Sequence, residues 1–96
     1  MTGTLTTVRA GALTTVQDAG RRGHAHLGVP RSGALDAPAM RLANRLLGND
    51  PRAAVLETTV TGCALRPDRA VTVVVGGAPC PVTVAGEPVA WGAPVR

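Results

Sequence analysis

Phe and Tyr are absent from this chain of 96 residues, and Trp91 is its only aromatic side chain. Rings bring the largest apolar area per residue, so burial has to come from Val, Leu and Ala. A chain of this length removes only roughly 60 to 65% of its unfolded surface from water on folding. One domain at most is expected, with a thin core and marginal stability on its own.

The local patterns are mostly strand-like. Thr4 to Val8 and Leu13 to Gln17 are short runs of Thr, Val and Leu separated by "RAGA", and they read as two strands. Ala54 to Val60 alternates toward strand character. "AVTVVVG", Ala70 to Gly76, is β-branched and almost continuously apolar, the pattern of a strand buried on both faces. "PVTVAG" and "PVAW" predict two further strands joined by a turn at Gly86 to Pro88. One helix interrupts the series near residues 36–47. Ala39, Leu42, Ala43 and Leu46 fall on one helical face, Asp36 is placed to cap the first turn, Pro38 is tolerated there, and Gly48 with Asn49 ends it. The fold class expected is mainly β, barrel-like or sandwich-like, with one short helix.

Between the second strand and the helix lies "QDAGRRGHAHLGVPRSGALDAPA", residues 17 to 39, with four glycines and two prolines and almost no apolar periodicity. Such a long ordered connection tends to carry function. Gln17 and Asp18 sit at the mouth of a strand, Arg21 and Arg22 follow, and Arg31, Ser32 and Asp36 lie just ahead of the helix. Arg31 is the best binding candidate, because a guanidinium held in a Pro- and Gly-constrained loop grips a carboxylate or carboxamide with two donors. Asp18 and Asp36 are the candidate catalytic carboxylates, each with a simpler structural role: Asp18 as a turn former before Gly20, Asp36 as the helix cap. Gln17, Arg21, Arg31 and Ser32 are the candidate substrate-binding residues. Ser32 has no identifiable partners for a nucleophile triad.

Several function classes are disfavoured. The net charge is +4, and all ten basic residues are Arg. With so much Ala, Gly, Val and Pro beside them, this reads as a compositional bias of Arg over Lys rather than a nucleic-acid surface, and a single ring removes the stacking platform of single-strand binders. No apolar run is long enough for a membrane helix and no secretory signal is present at the start, so a cytoplasmic location with no membrane partner is expected. His24 and His26, which would point the same way if their stretch is extended, together with Cys63 and Cys80 match no standard metal spacing. The two cysteines are expected to be buried free thiols in strands, and no metal is expected. "VVVGGAPC" lacks the spacing, Lys and following helix of a phosphate loop.

Three motifs in register, "TTVQD-GR-G", "GVP-SGA-D" and "A--LAN-L-GN", resemble the opening of the biotin-dependent carboxyltransferase family that includes the allophanate hydrolase subunit 2 proteins, with "AVLETTVTG", "VTVVVGGA" and "PVTVAGEPV" continuing the likeness along nearly the whole chain. The sequence departs from that family at His24, which stands where Tyr is usual, and at "TGCAL", which replaces a "GGP" type of turn. The resemblance implies a partial cyclophilin-like barrel, with residues 1–96 as the N-terminal part of a carboxyltransferase-type domain (subdomains A and B) and the rest of that domain absent. It further implies a subunit of an ATP-dependent amide-processing enzyme, either a 5-oxoprolinase converting 5-oxoproline to glutamate or an allophanate hydrolase subunit 2-like protein. Its partners would be a KipI-like protein, a further oxoprolinase subunit and a small amide or lactam. The alternatives within the resemblance are biotin-dependent carboxyl transfer to urea or a similar amide, with biotin as a cofactor in that case only, and a non-catalytic antagonist that binds a KipI-like regulator. The 96 residues alone are expected to be inactive.

Overall fold

The computed structural model describes residues 3–96. Among them are six strands and one helix, in the order β1 (Leu5–Arg9), β2 (Leu13–Gln17), α1 (Ala37–Leu46), β3 (Val55–Thr59), β4 (Ala64–Pro67), β5 (Val82–Val84) and β6 (Glu87–Val89). The architecture is mainly β with one helix at the expected place, and its sheets are not closed.

β1 and β2 follow one another in sequence but do not pair. β1 pairs antiparallel with β4 and β2 with β3. Leu5 faces Pro67 at one end and Gln17 faces Val55 at the other, so one register runs through both pairs apart from an irregularity between Thr7 and Arg9. They form one long ribbon bent at a corner where the segment 10–12 lies beside 60–63. The Ala12 amide donates to the Thr61 hydroxyl at 2.6 Å, and the Thr14 hydroxyl donates to the Ala10 carbonyl at 2.6 Å. On the other side of the corner Val60 holds a φ of +69° while the Thr61 amide donates back to the Thr59 carbonyl at 2.8 Å. That three-residue turn is a strained one for a β-branched residue. It is what turns the chain out of β3 and into β4, a strand that local pattern did not reveal.

α1 starts as its sequence dictates. The Asp36 carboxylate accepts from the Ala39 amide at 3.1 Å and Pro38 occupies the first turn. The buried face is not the one expected. Leu42 and Leu46 are 58% and 43% exposed, whereas Met40 and Asn44, one turn apart, are 4% and 3% exposed. Tertiary hydrogen bonding selects this face: the Asn44 side-chain amide donates to the carbonyls of Pro51 (3.2 Å) and Ala53 (2.9 Å), tying the turn after the helix to the Met40 side. Leaving a buried amide without its acceptors is costly, so the amide outweighs the leucines.

"AVTVVVG" does not form the doubly buried strand expected of it. Only Val73 pairs, in a single bridge with Val95, and Gly92 donates to the Val75 carbonyl at 2.9 Å. Val71 and Val73 lie partly in solvent. A continuous apolar run is a sign of a buried strand but not a sufficient one, since a ladder also needs neighbours on its edges, and among the described residues this segment bridges only to Val95. β5 and β6 form the expected hairpin, with the turn at Ala85–Gly86 rather than Gly86 to Pro88. Cys63 and Cys80 are free, but they precede β4 and β5 rather than lying within strands, and they are half-buried and exposed respectively rather than buried. Met40 is the only buried hydrophobic residue among those described, and no side chain among them is fully buried, which is the thin core that the lack of aromatic rings implies.

Candidate functional site

The long connection is a folded loop whose two arms are zipped together. The Arg21 amide donates to the Arg31 carbonyl at 2.6 Å, and the Ala34 amide donates to the Asp18 carbonyl at 2.9 Å. Between these bonds Gly20 and Gly33 bring backbone against backbone at φ values of +85° and +91°. Arg21 spends its guanidinium on the loop itself, donating to the Pro30 carbonyl at 3.3 Å and the Ser32 hydroxyl at 3.1 Å. At the tip, Ala25–Leu27 make a 3-10 turn, so His24 and His26 do not share the extended stretch that would have aligned them. No three His, Cys, Asp or Glu side chains are grouped as metal ligands among the described residues.

The far end of the loop is latched to the sheet. Glu57, at the middle of β3, accepts from the Leu35 amide at 2.9 and 3.2 Å and from the Asp36 amide at 3.3 Å. These amides sit just before α1, where they have no intrahelical acceptor, so one strand carboxylate sets both the loop exit and the start of the helix. Sequence reasoning passed over Glu57, because nothing local marks a strand carboxylate as the acceptor for a loop more than twenty residues earlier.

These constraints shape an open cleft of about 560 Å³ whose walls include Asp18, Arg22, Arg31, Ser32, Arg41 and Arg52, with Met40 among the lining. The structure thus brings together three of the expected residues, Asp18, Arg31 and Ser32. Asp18 also has the turn-forming role expected of it, since one of its carboxylate oxygens accepts from the Gly20 amide at 2.8 Å. Arg21 stands behind the cleft as a brace. Gln17 lies along β2, its amide donating to the Thr15 hydroxyl at 3.1 Å, and does not line the cleft. Asp36 lines a different, mostly apolar groove of about 340 Å³, between the Leu42 and Leu46 face of α1 and two further segments, one holding Val74 and Val75 and the other Trp91. Arg41 and Arg52 were missed. They belong to α1 and to the turn that Asn44 anchors, and only the tertiary fold carries them to the loop.

Residues 27–96 match the family of the carboxyltransferase domain, subdomain A and B. Over 53 residues, 55% of this chain, the sequence is 55% identical to one of the subunits of 5-oxoprolinase from Escherichia coli, covering 17% of that protein. A stretch of the same length, 54% of this chain, is 53% identical to urea amidolyase of Saccharomyces cerevisiae and covers 3% of it. Crystal structures of TTHA0988 in two crystal forms superpose on 95% of this chain with TM-scores of 0.87 and 0.88, at 36% and 37% identity, and the chain covers 34% and 18% of them. The chain therefore spans only a small part of the length of the curated relatives it matches. No helix among the described residues is long and apolar enough to cross a membrane.

Proposed function

Because the chain belongs to the carboxyltransferase domain family, subdomain A and B, we propose that it is part of an ATP-dependent enzyme acting on a small amide, and that the reaction is the opening of 5-oxoproline to glutamate. The observation that carries this reading is the meeting of Arg31, Ser32 and Asp18 on one open cleft. Similarity to a 5-oxoprolinase subunit supports the choice of lactam. That this relative is one subunit of its enzyme supports work alongside other chains, for which a KipI-like protein and a further oxoprolinase subunit are the proposed partners. Residues 1–96 would be the opening part of a carboxyltransferase-type domain.

Opening the amide requires water to add to the carbonyl carbon, which places negative charge on the carbonyl oxygen, and the C–N bond then breaks as the proton lost by that water is delivered to the nitrogen. The Arg31 guanidinium, with no hydrogen-bond or ion-pair partner among the described residues, is the donor for that oxygen. Ser32 already accepts from Arg21, which leaves its own hydroxyl proton to orient the substrate. One oxygen of Asp18 is held by Gly20, and the other is the group that moves the proton. Asp36, Gln17 and Arg21 act behind these, Asp36 through the helix start and Arg21 through the loop. ATP is consumed by the assembled complex.

The likeness to urea amidolyase supports a second reading, carboxyl transfer from carboxybiotin to urea or a similar amide. The donor set fits: the guanidiniums of Arg22 and Arg31, without partners among the described residues, match a carboxylate, and biotin would supply the activated carboxyl group there. The test is ATP-dependent glutamate production from 5-oxoproline by the full protein reconstituted with its partner subunits. Arg31→Ala is expected to lower kcat/KM about 10²- to 10³-fold with partner binding intact. Retained turnover with lost partner binding would instead establish a regulatory antagonist of a KipI-like protein, and full retention of both would remove Arg31 from the site.

A further inference from the structure

5-Oxoproline offers one amide oxygen and one carboxylate, for which two cationic donors suffice, and the cleft has four. Arg22 and Arg31 come from opposite arms of the loop, Arg41 from α1 and Arg52 from the turn after it. None of the four guanidiniums has a hydrogen-bond or ion-pair partner among the described residues, in contrast to Arg21, which is spent on the loop. Asp18 is the only carboxylate among the lining residues, and one of its oxygens is already committed to the Gly20 amide. Four like charges around one concavity repel one another when it is empty, and field lines focused in a cleft attract a counter-charge. Each guanidinium presents paired donors that match two oxygens of one oxyanion.

We propose that this cleft binds an oxyanion carrying two or more negative charges, either a phosphate-class group or a dicarboxylate, with Arg41 and Arg52 as binding residues beside Arg22 and Arg31. The inference concerns the same cleft as the amide-processing reading and deepens it, naming an anionic ligand or ligand portion next to the reacting amide. The Asn44 contacts to Pro51 and Ala53 then gain a purpose, because they hold the Arg52 turn against the helix that carries Arg41.

The test is calorimetric titration of the full protein with pyrophosphate and, separately, with malonate, at low and high salt. Either anion is expected to bind, more weakly as salt rises, and the tighter of the two identifies the source. Arg41→Ala and Arg52→Ala should each weaken that binding about tenfold, while Arg45→Ala, on the same helix but away from the cleft, should not. Thermal unfolding of each variant separates lost binding from lost folding, and Arg41→Gln and Arg52→Gln repeat the measurement where an alanine variant unfolds. No binding of either anion, or binding that both cleft variants leave unchanged, overturns the proposal. Because titration requires no turnover, its failure alongside an Arg31-dependent reaction would leave the amide-processing reading standing.

Discussion

Gly33 and Gly20 meet backbone to backbone: a Cβ on Gly33 would stand 2.7 Å from the Gly20 nitrogen, and one on Gly20 would stand 2.6 Å from the Ser32 carbonyl oxygen. That closeness lets the two arms of the loop exchange the Arg21 to Arg31 and Ala34 to Asp18 hydrogen bonds. Gly33→Ala adds a methyl at a φ of +91° against main chain that cannot rotate away. We expect a loss of about 1–3 kcal/mol of stability and a larger loss of turnover, since Arg31 and Asp18 sit on opposite arms. Thermal unfolding together with the reconstituted assay measures both, and an unchanged melting temperature would show that the arms can separate freely.

Glu57→Gln tests the latch between β3 and the loop exit. The amide keeps one acceptor oxygen but loses the charge that strengthens bonds to Leu35 and Asp36. A drop of about 1 kcal/mol is expected, and Glu57→Ala should cost about 2 kcal/mol. Hydrogen exchange at the Leu35 and Asp36 amides should speed up in both variants. Protection that survives in Glu57→Ala would mean another group holds those amides.

Asp36 caps α1 through the Ala39 amide and faces the apolar groove rather than the arginine cleft. Asp36→Asn, which caps about as well, should keep stability and turnover, while Asp36→Ala should lose about 0.5–2 kcal/mol. A collapse of turnover in the Asn variant at constant melting temperature would place the carboxylate in the chemistry after all.

Val60 is 94% exposed and holds a φ of +69°, so it buries almost nothing and adopts a conformation that its branched side chain opposes. Val60→Asn should stabilise the protein by about 1 kcal/mol, because Asn tolerates this region of backbone space. A fall in melting temperature would show that the valine side chain stabilises this turn despite its exposure and its backbone angle.

The helix and most of the strands were legible because their determinants are local. Asp36 and Pro38 start α1 by satisfying or removing donors within a few residues, and runs such as Leu13–Gln17 and Val55–Thr59 prefer extended backbone wherever they lie. The loop announced itself through its glycines and prolines, and three of its candidate residues do line one cleft. Partner choice was not local. β1 pairs with β4 rather than β2 because β1 and β2 lie end to end along one ribbon bent at the corner of Ala12 and Thr61, and the valine-rich segment makes a single bridge, to Val95, among the described residues. The helix buries Met40 and Asn44 instead of its leucines because an amide must reach two carbonyls contributed by a later turn. That same turn delivers Arg52 beside Arg41, Arg31 and Arg22. Residue type and spacing decide which backbone states are cheap, whereas the cleft depends on hydrogen bonds and contacts between segments that spacing along the chain does not specify.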